Sequence, residues 1–245
     1  CGCGRCEWCL AGDAQVCPDQ QQPGFTHWGS FAELVAIHAA DANLVAVPDD
    51  VDLATAAALG CRFATAYRAL VARARVIPGE WVCVVGAGGV GLSAVMIAKA
   101  LGARVVVIDR NPEALRIARE LGAEHTVLSG AGSTSSFSSS SSSPGLGLDF
   151  TFRFESASAS AGLGGSPDVD VDVASAVHAL TGGGAHVAVD AVGSEQTCAD
   201  AIHSLRRRGR HVQIGLLPPV GGHPRVPMDR VIGWELDLLG SHGMA

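Results

Sequence analysis

Four cysteines, Cys3, Cys6, Cys9 and Cys17, are separated by two, two and seven residues on one short, loop-like stretch. Four thiolates so placed can surround a Zn²⁺ tetrahedrally and leave no position open for water or substrate, which makes such a site structural rather than catalytic. The alternative for the same residues is two disulfides. Five of the eight cysteines fall within the first seventeen residues of a long chain. That clustering points to metal and to a reducing, cytoplasmic compartment. Arg5 offsets part of the loop's negative charge, and Cys1 stands outside the series.

The second chemical signal is Gly86-Ala87-Gly88-Gly89-Val90-Gly91, a G-x-G-x-x-G sequence. It follows an apolar, β-branched run and opens a helical pattern, the context a dinucleotide-binding turn requires. Gly86 permits the tight turn, Gly88 lets backbone approach a pyrophosphate, and Gly91 lets the helix pack against the strand. The helix N-terminus then receives the negative charge. Asp109 ends the next strand, about 20 residues on, where a carboxylate can hold ribose hydroxyls. The bland alternative is an ordinary strand-turn-helix with an aspartate nearby.

Cys61, in Gly60-Cys61-Arg62-Phe63, is by its type alone a small core thiol or a ligand. Cys83, in a strand, and Cys198, on a helix, read as buried hydrophobes. The nine histidines show no metal spacing. The chain carries no nucleophile elbow and no P-loop lysine. Its net charge of -7 argues against nucleic acid as a partner. The one basic cluster, residues 206–210, is expected at the end of a helix, where cations suit the dipole. Residues 82–98 are apolar but broken by four glycines and followed by Lys99, so they predict strand-turn-helix rather than a membrane span.

Positioning these groups requires a scaffold, and the sequence patterning supplies one. Hydrophobic residues make up 48% and charged residues 17%, a globular composition. Strands are expected at 31–35 and 44–47, then a helix capped by Asp52 and a helix over 64–75. Strands at 82–85, 105–108 and 125–128 then alternate with helices over 90–101 and 112–121. After a break come a helix over 173–180, a strand at 186–189, a helix over 195–207, and strands at 211–214 and 236–239. Such alternation predicts an α/β fold with a parallel sheet covered on both faces. Ten of the fifteen residues from 129 to 143 are serine. The stretch 129–170 is therefore expected to be a disordered surface insertion, with one odd patch at 150–154.

Taken in order, the four-cysteine loop, Gly29-Ser30-Phe31-Ala32-Glu33, Gly60 to Tyr67, the glycine loop with Asp109, and Gly240-Ser241-His242-Gly243-Met244 resemble a zinc-dependent medium-chain alcohol dehydrogenase. The resemblance implies a doubly wound Rossmann coenzyme domain over 61–235. It also implies part of a β-rich, GroES-like catalytic domain over 1–60, with 236–245 returning toward it. Cys3, Cys6, Cys9 and Cys17 would hold structural zinc. Cys61 would be a ligand of the catalytic zinc, and Thr65 would lie near the nicotinamide. Gly86, Gly88, Gly89, Val90, Gly91, Asp109 and Arg110 would bind NAD, and Val192, Gly193, Ile214, Gly215 and Leu216 would line its cleft. The substrate would be a small alcohol or aldehyde, and the full protein a homo-oligomer.

Some features depart from the family. Its other catalytic-zinc ligands, a Cys and a His-Glu pair, precede the four-cysteine loop. Residues 1–245 are accordingly expected to be an internal stretch that binds NAD without turning over alcohols. Ala114 replaces a basic residue often found five positions after the ribose-binding acid, leaving Arg110 or Arg116 to serve. A non-catalytic dinucleotide-binding protein and a polyol dehydrogenase stand as the rival readings.

Overall fold

The computed structural model describes residues 1–130, 172–219 and 221–243. Apart from Ser129 and Gly130, the serine-rich insertion, including its 150–154 patch, lies outside the described residues.

The chain opens with the cysteine loop, which carries short helix α1 (Glu7–Leu10) and a 3₁₀ turn at Ala14–Val16. Helix α2 (Ala40–Asn43) follows. The strands expected at 31–35 and 44–47 are not formed, and their side chains, among them Phe31, Leu34 and Val45, are exposed. Apolar, β-branched sequence is not sufficient for a strand. The extended backbone needs a neighbour to accept its hydrogen bonds, and among the described residues none pairs with these segments. One helical run then carries α3 (Leu53–Ala58) and α4 (Ala64–Tyr67), with wider turns at Leu59–Phe63 and Arg68–Arg73. Asp52 caps it as expected, accepting from the Ala54 and Thr55 amides, each at 3.0 Å.

From Trp81 the pattern becomes regular. Strands β1 (Trp81–Val85), β2 (Arg104–Asp109), β3 (His125–Leu128), β4 (Ala185–Asp190), β5 (Leu205–Gln213) and β6 (Asp237–Gly240) form one parallel sheet. Its order is β3-β2-β1-β4-β5-β6. Helices α5 (Gly89–Ala100), α6 (Pro112–Glu120), α7 (Val173–Thr181), α8 (Glu195–His203) and α9 (Met228–Trp234) cover it. Alternation along each strand sorts side chains onto two faces. Val82 and Val84 of β1, with Val105 and Val107 of β2, meet α5 and α6 on one face. Trp81, Cys83, Val85, Val106 and Ile108 meet α7 and α8 on the other. Burial on both faces is why these strands read as continuous apolar runs. Among the described residues, no helix is long and apolar enough to cross a membrane.

Local sequence fixes the helix starts. Asn111 caps α6 with Pro112 in its first turn, a position where the missing proline N–H costs nothing. Ser194 and Thr197 form a reciprocal capping box on α8. One expected boundary is corrected. Helix α8 stops at His203, and residues 206–210 belong to β5 rather than to a helix end. The Ala185 amide donates to the Ser204 carbonyl at 2.9 Å, so pairing with β4 begins at once. The register then jumps from Ala185↔Leu205 to Val187↔Arg210, and Arg206, Arg207 and Arg208 sit in the resulting bulge. Arg207 lies over Trp234, Arg208 pairs with Glu235, and Arg210 with Glu80.

Helix α5 can lie directly on the exit of β1 only because two residues lack side chains. Gly86 takes φ +95°, and a Cβ on Gly91 would overlap the Gly86 carbonyl oxygen and stand 2.9 Å from its carbon. Alanine would favour the helix by about 0.8–1 kcal/mol. A backbone obstacle cannot swing aside, however, and overpacking of this kind costs roughly 1–3 kcal/mol. The net cost, about 1–2 kcal/mol at roughly 2–4 °C per kcal/mol for a chain of this size, is expected to lower the melting temperature of Gly91→Ala by about 2–8 °C. Gly88→Ala, which would meet nothing within 4 Å, should leave it nearly unchanged. Thermal unfolding of the two variants side by side checks this.

Candidate functional site

The four loop cysteines converge. Their Sγ atoms all lie within 4.8 Å of one another, and Cys6 and Cys17 are 3.7 Å apart. A tetrahedral zinc with Zn–S near 2.3 Å sets sulfur–sulfur edges of about 3.8 Å, so the donor set fits that ion. Local backbone builds the cluster. Cys6 caps α1 and accepts from the Cys9 amide at 3.4 Å, and the Cys3 amide donates to Cys17 Sγ at 3.3 Å. Gly2 must be glycine, because a Cβ would stand 2.7 Å from Cys9 Sγ.

The thiols share their protons unequally. The amides of Arg5 and Cys6 draw the Cys3 thiol down to about 6. At Cys6 the pull of the Cys9 amide is outweighed by desolvation and by the neighbouring thiols, and the group rises to about 11. Metal uptake by such a set releases protons.

Two anchors tie this loop to the rest. Arg68 pairs with Asp13 at 2.8 Å. The Asn43 side chain accepts from the Gly2 amide at 2.8 Å and donates to the Gly2 carbonyl at 2.9 Å. Cys1 stays outside the cluster.

The second constellation gathers at the carboxyl ends of the strands. β1 continues into β2 on one side and pairs with β4 on the other, so the order reverses there and a crevice opens. The Gly86 amide donates to the Ile108 carbonyl at 2.8 Å and closes the turn. Gly88 is the residue before α5, with open space where a Cβ would stand. Backbone is thus accessible at the positive end of a helix, which suits an anionic ligand. Val90 turns inward onto the core. Asp109 accepts from the Ala87 amide at 2.6 Å through one oxygen and from Asn111 at 2.8 Å through the other. Its carboxylate therefore sits beside the glycine loop and braces it. Arg110 is exposed next to it, whereas Arg116 is engaged by Glu113 and Glu120 on α6.

On the opposite wall, Val192 packs against Gly86, and Gly193 (φ +92°) interlocks with the Ile214-Gly215-Leu216 segment. A Cβ on Gly193 would stand 2.6 Å from the Gly215 carbonyl carbon, and one on Gly215 would stand 2.6 Å from Gly193 Cα. Val192 and Leu216 remain exposed at the rim.

Cys61 and Thr65 lie one helical turn apart. Cys61 is exposed on the wide Leu59–Phe63 turn. Among the described residues it belongs to no group of three potential metal ligands, so they do not complete a catalytic metal site around it. Thr65 is buried and donates to the Gly243 carbonyl at 3.2 Å, bringing together residues 178 positions apart.

Two residues at this crevice escape a reading by motif. Arg62 lies across the start of α5, its Nε 3.0 Å from where a Gly89 Cβ would stand, and adds a cation to the helix N-terminus. No spacing rule signals it. Asp190 is fully buried at the end of β4. A signal for it exists: it closes an apolar strand as Asp109 does.

Comparisons with known proteins follow the same lines. A family model described as zinc-binding dehydrogenase matches residues 89–150 and 155–245. An alcohol dehydrogenase of Geobacillus stearothermophilus is 41% identical over 126 residues, covering 51% of this chain and 36% of that protein. One from Schizosaccharomyces pombe is 40% identical over 123 residues, 50% of this chain and 34% of the relative. Among solved structures, an NAD-dependent alcohol dehydrogenase superposes with a TM-score of 0.74 at 29% identity, covering 100% of this chain and 59% of that one. The alcohol dehydrogenase of the archaeon Aeropyrum pernix gives 0.73 at 30% identity, covering 99% and 59%. The chain thus spans only part of each relative's length.

The sulfur cluster is expected to take up one tightly held Zn²⁺ per chain. Zinc-finger peptides gain about 10–16 kcal/mol from such sites, so Cys9→Ser should unfold residues 1–22 while the sheet survives. Elemental analysis and limited proteolysis read the two effects. Absence of zinc with two disulfides in their place would contradict the site.

Proposed function

Because this chain belongs to the zinc-binding dehydrogenase family, we propose that it carries the NAD-binding machinery of an alcohol dehydrogenase acting on a small alcohol or aldehyde. The observation that supports this most directly is the convergence of three segments on one crevice. The glycine loop, Asp109 and the Val192–Leu216 wall meet where the strand order reverses, the position at which open α/β sheets bind dinucleotides.

A nicotinamide dinucleotide, when bound, supplies the chemistry of hydride acceptance and return. The residues of this chain supply placement. Gly88 and Gly89 offer main-chain N–H groups at the start of α5, and Arg62 beside them adds positive charge for a pyrophosphate. Asp109, which retains acceptor capacity beyond its two amide bonds, takes ribose hydroxyls and repels a 2′-phosphate. Val192 and Leu216 provide an apolar wall that keeps water from one side of the crevice. Thr65, fixed by Gly243, stands ready to contact the reacting end. Cys3, Cys6, Cys9 and Cys17 hold a structural zinc. Cys61 serves as one catalytic-zinc ligand of a set that the described residues do not complete. Residues 61–235 form the coenzyme unit and 1–60 the part belonging to the catalytic unit.

NADH is expected to bind more tightly than NADPH, as read by calorimetry; tighter NADPH would give control of the pocket to Arg110 instead. Asp109→Ala removes bonds to a charged acceptor worth roughly 1.5–3 kcal/mol, so NADH affinity should fall by about ten-fold or more. NADH formation from a panel of primary and secondary alcohols tests the redox half of the reading. Turnover that survives Cys61→Ala would overturn the role given to that cysteine.

A further inference from the structure

We infer that Asp190 is a positioning residue that holds both strand exits forming the second wall of the cofactor cleft, and so governs the half of the dinucleotide away from Asp109. The inference rests on the NAD-binding reading above.

Asp190 has no exposed surface, and burying a carboxylate is costly unless its oxygens are satisfied. Here they are satisfied by groups from three directions. Oδ1 accepts from the Val192 amide at 2.9 Å and the Gly193 amide at 3.0 Å, the exit of β4. Oδ2 accepts from Thr197 Oγ1 on α8 at 3.2 Å and from Gln213 Nε2 at the end of β5 at 2.8 Å. The Asp190 main-chain carbonyl accepts from the Ile214 and Gly215 amides at 3.1 and 2.9 Å, the exit of β5. Gln213 completes the bracket by donating to the Gly215 carbonyl at 2.7 Å and accepting from His211 at 2.9 Å. One residue therefore fixes every main-chain segment of this wall.

A helix-capping role does not account for this. Helix α8 already has a complete capping box of its own in Ser194 and Thr197. The bonds of Asp190 go instead to 192, 193, 197 and 213–215, and all but Thr197 lie on the wall or lead into it.

The fold assigns this wall a half of the ligand. A sheet in the order 3-2-1-4-5-6 consists of two mononucleotide-binding halves, and the acid at the end of the second strand takes the adenosine ribose. Asp109 stands there. Asp190 stands at the end of β4, in the other half, two strands across. Its loss should then injure binding of the whole dinucleotide and spare a ligand confined to the first half.

Calorimetric titration of the full chain with NADH and, separately, with AMP distinguishes the two. Asp190→Asn keeps the shape but turns one acceptor into a donor facing the Gln213 amide and the Thr197 hydroxyl. NADH affinity should fall by about ten-fold or more, with AMP affinity within about two-fold of wild type. If Asp190→Asn does not fold, Gln213→Leu removes one donor from the same carboxylate and should shift NADH alone in the same direction by roughly three-fold. Unchanged NADH affinity, or equal losses for NADH and AMP, would overturn the inference while leaving the NAD reading intact. A wild-type chain that binds neither ligand would overturn the NAD reading and the inference with it.

Discussion

Where β1 ends and α5 begins, two stretches of main chain touch with no side chain between them. Gly91 rests on the carbonyl of Gly86, and that contact lets the helix start directly over the strand exit. Much follows from it. The first turn of α5 points its unbonded N–H groups into the crevice. β1 can be buried at all five residues and paired along both edges, because the helix lies flat on one of its faces. β2 brings Asp109 to the same edge, close enough to hold the Ala87 amide. Had the helix been lifted by a methyl group, the carboxylate, the helix end and the opposite wall would no longer share one opening.

The two charged devices of the molecule are built on different principles. At the crevice, positive potential comes from backbone and from Arg62, in a place that stays open. In the loop, four sulfurs form a closed cluster with no vacant side, on a segment whose buried residues are few. The loop has little apolar interior, so its shape depends on its donor atoms and on the anchors to Arg68 and Asn43. The Arg68 anchor lies on the helical run that also carries Cys61, Arg62 and Thr65. The two devices are therefore mechanically adjacent although chemically separate.

The central sheet was legible in the sequence because strands buried on both faces leave uninterrupted β-branched runs, as at Val105-Val106-Val107-Ile108. The glycine loop and the cysteine spacing were legible because each encodes a local geometry. Residues 31–35 and 44–47 show the limit. Their sequence has strand character, but pairing is a property of the neighbour. Residues 206–210 were misread because a bulge depends on the register of β4 against β5, which involves residues about twenty positions apart. Asp190 carried no motif. Two of the donors to its carboxylate, the Val192 and Gly193 amides, are local, but Gln213 comes from the next strand, and only the fold brings that donor to the same group.

The interlock of Gly193 with Gly215 has a consequence for how the crevice behaves. Main chain gauges main chain there, without any rotatable group in between. The exits of β4 and β5 are thereby locked into one wall, like a single jaw of a calliper, and rotamer changes at the rim cannot spread them apart. Discrimination among ligands of similar breadth must then fall to the side chains at its rim, Val192 and Leu216, which stand 52% and 82% exposed and are free to vary without disturbing the gauge. A lineage carrying this scaffold could thus retune what enters while inheriting the wall itself unchanged.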